Sequence, residues 1–174
     1  MEALNSQVIS FPKNYIKLRC LENHDQPRIE SRVSDPVALS NWNALLFFQK
    51  VATLLYAGEE RCDANQPSLF DRDPVHWDGR DISGELRRLA ALKKRFPVDC
   101  WFGAVADDDQ HAICAQLGGE GRRYLGLFSL KGAPVKMDIE RFEGDLTCEN
   151  LLDGSPVEIR SGILETDGRP VIVE

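Results

Sequence analysis

Three neighbouring residues, Asn23, His24 and Asp25, have side chains that can bind a ligand, and Arg28 follows shortly after them. A carboxylate accepts two hydrogen bonds, an imidazole donates one, and a guanidinium donates several. The same residues could also close a turn after a strand, and their spacing alone favours that structural role. Pro27 cannot donate to a strand ladder, so the strand that delivers this segment must end before it.

The elements that would position these residues are predicted to form a strand–helix–strand unit. Apolar and charged residues alternate over residues 16–20, which is typical of a strand. Ser40 is expected to cap a helix that begins at Asn41 and is apolar on nearly all sides. Residues 53–56 form a short apolar run, as in a strand covered on both faces. Two strands joined by a crossover helix should be parallel.

A polar segment, residues 61–81, separates this unit from a second predicted helix. Asp81 or Ser83 can cap that helix, and its apolar positions keep a helical spacing as far as Phe96. Pro97 then ends it. A loop as long as residues 61–81 inside a compact domain is often functional.

From Cys100 onward, short runs of β-favouring residues alternate with turns rich in Gly, Pro and Asp. This pattern is typical of an antiparallel sandwich or open barrel. The charge changes at the same place, because residues 1–99 carry no net charge and residues 100–174 carry −7. We therefore expect an α+β protein with two parts, residues 1–98 and residues 99–174.

Residues 21–28 resemble the fourth signature segment of the α-amylase superfamily (glycoside hydrolase family 13), in which a barrel strand ends in Asn-His-Asp. Residues 54–60 look like the family's eighth barrel strand and the loop after it. Residues 67–78 resemble the loop before the last barrel helix, and the tail with residues 150–154 looks like the family's C-terminal sandwich domain. The resemblance therefore implies the last two βα units of a (β/α)8 barrel, followed by a β-sandwich.

The resemblance also implies roles for the polar segment. Asp25 would be the carboxylate that distorts the sugar and stabilises the transition state, and His24, Asn23 and Arg28 would bind substrate. Glycoside cleavage passes through an oxocarbenium-like transition state, so rigid donors and acceptors around the ring are useful. Barrel sites lie at the C-terminal ends of the strands, where this segment stands. The implied partner is an α-glucan or oligosaccharide bound by the parent enzyme.

Two catalytic groups of the family are missing from these 174 residues. A retaining glycosidase needs a nucleophile and an acid/base about 5–5.5 Å apart. The family's Gly-x-Arg-x-Asp segment is not found, and residues 79–81 have the wrong spacing for it. The Glu that serves as acid/base is not found either. We therefore expect the C-terminal fragment of an α-glucoside hydrolase, inactive by itself.

The alternative is a non-catalytic module that binds carbohydrate or protein. A sugar platform usually needs exposed aromatic rings, and Trp101 and Tyr124 are the only Trp and Tyr after residue 99. Most aromatic residues there alternate as core residues do, so the sequence supports this alternative weakly.

The remaining expectations concern partners and location. An acidic pI near 5.0 argues against nucleic-acid binding. The five cysteines form no CxxC pair, so no metal site or cofactor is expected, and free thiols suit a reducing cytoplasm. The most apolar stretch, residues 42–57, is too short and polar to span a membrane. Two strands cannot close a barrel, so we expect the exposed strands to drive homo-oligomerisation.

Overall fold

The computed structural model describes residue 12, residues 15–139 and residues 144–174. It contains two α-helices, one short 3-10 helix at Glu59–Arg61 and ten short strands. The helices are α1 (Pro36–Phe48) and α2 (Ser83–Lys93). The strands are β1 (Lys17–Arg19), β2 (Val51–Thr53), β3 (Trp101–Asp107), β4 (Ala112–Gly119), β5 (Arg122–Ser129), β6 (Val135–Asp138), β7 (Leu146–Glu149), β8 (Pro156–Arg160), β9 (Ile163–Thr166) and β10 (Val171–Val173).

The predicted strand–helix–strand unit is present, and its two strands are parallel. In the register of β1 and β2, Leu18 lies opposite Ala52. The helix between them is buried on most sides, as expected. The second strand lies slightly earlier than predicted, at Val51–Thr53 instead of residues 53–56.

The predicted start of α1 is wrong by five residues. The helix begins at Pro36, and its N-cap is Asp35, whose Oδ1 accepts a hydrogen bond of 2.7 Å from the backbone N–H of Ala38. A proline suits the first helical position, because its ring presets φ and the missing N–H would have no partner within the helix. Ser40 therefore lies inside the helix instead of capping it.

The second predicted helix is also present, but neither expected residue is its N-cap. Ile82 occupies that position without a side-chain cap, and Asp81 accepts a hydrogen bond from the backbone N–H of Ser83 at 2.9 Å. The helix ends at Lys93, before the expected limit at Phe96. The ammonium group of Lys93 donates to the carbonyls of Phe47 and Gln49 at the end of α1, so it ties the two helices together.

The described residues after 100 form two antiparallel sheets of four strands each. The first has the order β10-β5-β4-β3 and the second the order β6-β9-β8-β7. Antiparallel strands were predicted for this part of the chain, and the pairing confirms them.

The hydrophobic side chains form two cores, one on each face of the first sheet. One core lies between the two sheets and includes Leu127 of β5 and Leu164 of β9. The other joins the opposite face of the first sheet to both helices, and Phe48 of α1 packs there against Phe102 and Phe128. The described chain thus has three layers: helices, first sheet and second sheet. The border between residues 98 and 99 stays a prediction. The core that contains the helices includes residues from both sides of this border.

Two buried asparagines connect these layers through hydrogen bonds. Asn41 of α1 accepts from the backbone N–H of Ser129 at 2.7 Å and donates to the carbonyl of Gly168 at 2.8 Å. Asn150 donates to the carbonyl of Pro170 and accepts from the N–H of Ile172. Buried polar side chains are stable when their donors and acceptors are matched in this way.

All five cysteines are free thiols, and three of them are buried. Within the described part of the chain, no helix has both the length and the apolar character needed to cross a bilayer.

Candidate functional site

The loops that follow β1 and β2 both begin at the carboxyl-terminal end of the parallel pair, because parallel strands run in the same direction. The first loop carries the Asn-His-Asp segment. The second contains the 3-10 helix Glu59–Arg61 and continues to α2. Carboxyl ends of parallel strands are the usual place for ligand sites in such units. The first loop and its flanking residues, residues 22–29, are called the polar turn below.

Asn23 shapes the tip of the polar turn. Its side-chain Oδ1 accepts a hydrogen bond of 2.8 Å from the backbone N–H of Asp25, and its carbonyl accepts one of 3.2 Å from the N–H of Gln26. Asparagine closes turns in this way with its own side chain. The two residues between the ends of the turn, His24 and Asp25, are therefore presented to solvent.

His24 and Asp25 lie beside each other at this tip. His24 Nε2 is 3.3 Å from Asp25 Oδ2, and the two side chains are 64% and 70% exposed. An exposed imidazole–carboxylate pair offers a donor and several acceptors to a ligand.

The base of the polar turn is closed by a buried ion pair. Glu22 and Arg28 are each about 1% exposed, and Arg28 Nη1 donates to Glu22 Oε1 at 2.6 Å. The second oxygen, Glu22 Oε2, accepts from the backbone N–H of Ile29 at 2.7 Å. Charge-assisted bonds of this length hold the two ends of the turn together.

Arg28 also joins the polar turn to the second loop. Its guanidinium donates to the carbonyls of Ala57 (2.8 Å) and Asn65 (3.0 Å), and it lies 4.7 Å from the centre of the Tyr56 ring. Asp63 approaches the same group at 3.5 Å. Gly58 has φ +95°, and a Cβ there would come within 3.3 Å of the guanidinium. The loop backbone is thus wrapped closely around Arg28.

Asp63 holds the next part of the second loop. Its carboxylate accepts hydrogen bonds from the backbone N–H groups of Asn65 (2.9 Å) and His76 (3.1 Å). Burial by itself would raise the pKa of Asp63, but these hydrogen bonds and the nearby Arg28 bring it below its ordinary value. His76 Nδ1 lies 3.4 Å from Asp63 Oδ1, while its side chain remains half exposed.

Glu59 is a further buried carboxyl group in this cluster. It is 1% exposed, and its Oε2 accepts from the backbone N–H of Tyr56 at 3.0 Å, while Oε1 has no hydrogen-bond partner. Burial raises the pKa of Glu59 to about 7. The Tyr56 hydrogen bond acts to lower this pKa, and repulsion from Glu22 acts to raise it. Glu59 is therefore largely protonated at mildly acidic pH.

The arrangement combines an exposed imidazole–carboxylate pair with a buried frame of charged side chains. His24 and Asp25 can bind hydroxyl groups, whereas Glu22 and Glu59 are enclosed and Arg28 directs its donors to protein acceptors. Among the described residues, no group of three or more His, Cys, Asp or Glu side chains could hold a metal ion.

The structure brings Asn23, His24 and Asp25 together at one tip, but it separates Arg28 from them. Arg28 was expected to bind substrate. It lies under the turn instead, where four protein groups and a tyrosine ring surround its guanidinium. The sequence reasoning did not include the buried carboxylates Glu22 and Asp63 in the site. The signal available in the sequence was Arg28, a cation six residues after Glu22, which pairs with both carboxylates in the structure.

The described chain combines a parallel βα unit, a helical layer and two antiparallel sheets, and the first sheet packs against the helices on one face and against the second sheet on the other. A family model for the bacterial α-amylase C-terminal domain matches residues 104–173. The sequence is 24% identical over 122 residues to α-amylase 2 of Schwanniomyces occidentalis, covering 65% of this chain and 24% of that protein. The chain thus spans about a quarter of the length of this relative.

Solved structures give a longer match. A crystal structure of an α-amylase from Lactobacillus plantarum is 29% identical with a TM-score of 0.86, and the match covers 99% of this chain and 40% of that one. A maltogenic α-amylase of Thermotoga neapolitana shares the fold at 21% identity, with a TM-score of 0.80 over 99% of this chain and 44% of its own. The chain is therefore similar to the C-terminal part of α-amylases of glycoside hydrolase family 13.

Proposed function

We propose that this chain supplies one side of an α-glucan site, in which His24 and Asp25 bind the hydroxyl groups of the sugar whose glycosidic bond is cleaved. The observation that carries the proposal is the exposed His24–Asp25 pair at the carboxyl end of β1. Asp25 accepts hydroxyl hydrogen bonds and stabilises the oxocarbenium-like transition state, and His24 donates to a neighbouring oxygen.

In this proposal Arg28 and Glu22 are positioning residues. They hold the base of the polar turn by the 2.6 Å ion pair, and Arg28 links the turn to the loop after β2. Asn23 fixes the tip through its hydrogen bond to the Asp25 N–H. The exposed pair is thereby oriented before a ligand arrives, which lowers the entropic cost of binding.

The strand–helix–strand unit is, in this proposal, a segment of a (β/α)8 barrel. Its two strands are parallel and flank a helix, as consecutive barrel strands do. The nucleophile and the acid/base of a retaining glycosidase would come from other segments of such a barrel, so this chain binds sugar without cleaving it. A preparation of the chain should release no nitrophenol from nitrophenyl α-maltosides. Turnover that copurifies with the chain and is lost in Asp25→Asn would refute this.

Sugar binding itself can be tested by NMR. Addition of maltoheptaose should shift the imidazole signals of His24, and Asp25→Asn should weaken that response at least tenfold. Asp108→Asn is a matched control, because Asp108 is an acidic residue in the exposed turn between β3 and β4. An unchanged His24 signal at saturating maltoheptaose would contradict the proposed site.

The partner surface is the pair β1–β2, whose sheet contains only these two strands among the described residues. Leu18 of β1 is 60% exposed, and Ile16 and Leu55, which lie just outside the two strands, are 56% and 44% exposed. β1 carries the charged residues Lys17 and Arg19, whereas residues 51–57 contain no charged side chain, so the free edge of β2 lacks the charges that usually prevent pairing with another strand. We propose homo-oligomerisation through these strands, and sedimentation of a pure monomer at high micromolar concentration would contradict it.

A further inference from the structure

A cleft lies between the beginning of α1, the turn from β3 to β4 and the end of β5. Its volume is about 490 Å³, which is enough for a small organic molecule. None of the residues of the polar turn lines it, so the cleft is separate from the site that His24 and Asp25 form.

The floor of the cleft is apolar. Val33, Ala106 and Leu130 pack against the core that contains the helices, but each of them is only partly buried and also lines the cleft. Trp42 of α1 lines the same cleft and is likewise partly buried. An indole beside small aliphatic side chains provides a surface on which an aliphatic or aromatic group can pack.

Three charged side chains without protein partners stand at the mouth of the cleft. Arg32 lies in the loop before α1, Asp108 lies in the turn after β3, and Lys131 follows β5; all three are exposed. Within the described part of the chain, none of these three side chains has a hydrogen bond or an ion pair. Their charges are therefore available to a ligand.

The other two carboxylates at the cleft are already hydrogen-bonded within the chain. Asp35 Oδ1 accepts from the N–H of Ala38 at the start of α1. Asp107 accepts from the backbone N–H of Gln110 at 3.0 Å and from its side-chain amide at 2.6 Å. The groups that a ligand can meet are therefore two cations, one carboxylate and the imidazole of His111, which lines the same cleft.

The walls of the cleft are held in place by contacts within the chain. Gly132 has φ +69°, and a Cβ there would be 2.8 Å from Asp35 Oδ1, so the turn that carries Lys131 packs closely against the start of α1. Gln110 donates to the carbonyl of Lys136 at 2.9 Å and accepts from its N–H at 3.0 Å, which ties the turn after β3 to β6. Walls that are already in position lower the cost of binding.

We propose that this cleft binds an apolar α-amino acid, whose carboxylate pairs with Arg32 and Lys131 and whose ammonium group pairs with Asp108. The side chain of the amino acid packs against Trp42 on the apolar floor. A purely anionic ligand would face the carboxylate of Asp108, and a purely cationic one would face Arg32 and Lys131. An α-amino acid carries both charges on one carbon beside an apolar group, and a guanidinium suits its carboxylate. An uncharged sugar chain would leave all three charges unused.

The experiment is a titration of the ¹⁵N-labelled chain with L-phenylalanine, observed at the indole N–H signals of its three tryptophans. The Trp42 signal, assigned by its loss in Trp42→Phe, should move and saturate at millimolar ligand, because exposed ion pairs contribute little each. Hydrocinnamate, which lacks the ammonium group, and phenethylamine, which lacks the carboxylate, should each bind about fivefold more weakly than L-phenylalanine.

Variants of the exposed charges test which group meets which end of the ligand. Arg32→Gln and Lys131→Gln should weaken L-phenylalanine binding about fivefold and should not weaken phenethylamine binding. Asp108→Asn should weaken L-phenylalanine binding to a similar extent without weakening hydrocinnamate binding. Lys94→Gln is the matched control, because it removes an exposed lysine that does not line the cleft, and it should leave all three ligands unaffected.

Three results would overturn the proposal. The first is a Trp42 signal that does not respond to L-phenylalanine. The second is equal affinity for L-phenylalanine, hydrocinnamate and phenethylamine, because the charges at the mouth would then select nothing. The third is a Trp42 response to maltoheptaose, since the cleft would then bind sugar. Asp25→Asn should leave the response to L-phenylalanine unchanged, because the polar turn does not line the cleft.

Discussion

Replacing Glu59 with glutamine should remove a pH dependence of stability that the wild-type chain shows between about pH 4.5 and pH 7. The carboxyl group is 1% exposed, and burial raises its pKa from 4.5 to about 7. In that pH range the unfolded chain releases the Glu59 proton while the folded chain keeps it. The folded state therefore binds more protons, and its stability falls as the pH rises.

The size of the effect follows from the two pKa values. Each pH unit between the ordinary and the raised pKa costs about 1.4 kcal/mol, so the loss between pH 4.5 and pH 7 is about 3 kcal/mol. Above pH 7 both states are ionised and the loss remains constant. Glutamine keeps the shape and the Tyr56 hydrogen bond of Glu59 Oε2 but cannot ionise.

The assay is urea unfolding of the wild type and of Glu59→Gln at pH 5, 6, 7 and 8. The variant should gain stability relative to the wild type by about 1 kcal/mol for each unit up to pH 7, and then no further. Glu60→Gln is the control for the loss of one charge, because Glu60 lies in the same 3-10 helix and is less buried. A difference between wild type and Glu59→Gln that does not vary with pH would refute the reasoning.

Two further substitutions test the buried polar frame. Arg28→Met should lower the free energy of unfolding by about 3–5 kcal/mol, because it leaves the Glu22 carboxylate buried without its cation; urea unfolding measures this, and a loss below about 1 kcal/mol would contradict the role of the pair. Asn41→Ala should cost about 3 kcal/mol, since the Ser129 N–H and the Gly168 carbonyl lose their buried partner. A thermal midpoint within about 2 °C of the wild type would show that Asn41 does not connect the layers.

The elements that were predictable are those with a strong local pattern. Alternation of side chains and regular turns predicted antiparallel strands after residue 100, and the strand–helix–strand order predicted the parallel pair of β1 and β2. Helix ends were harder. Ser40 and Asp35 are both good capping residues, and the choice depends on the backbone conformation before the helix, where Pro36 favours the earlier start.

The candidate site also has parts that a local segment predicts and parts that depend on distant residues. Asn23, His24 and Asp25 are adjacent in the chain, so a single segment was enough to propose them together. The environment of Arg28 could not be proposed from a segment, because its partners at Ala57, Asp63 and Asn65 lie 29 to 37 residues away. Its charge suggested a ligand contact, whereas the folded chain encloses it. Most aromatic residues after residue 99 were expected to lie in the core, and Trp101 is an exception, because its exposure depends on what the second sheet leaves uncovered.

The amino-acid sequence by itself determined which residues could form strands and that the Asn23–Asp25 segment could form a turn after the first strand. Those properties arise from backbone preferences and neighbouring side chains. Only the tertiary structure decided that Glu22, Arg28 and Glu59 are buried together and that Trp101 is not. Burial depends on the packing of loops and sheets that are distant in the chain, and burial is what sets the charge state of Glu59 and the accessibility of the indole.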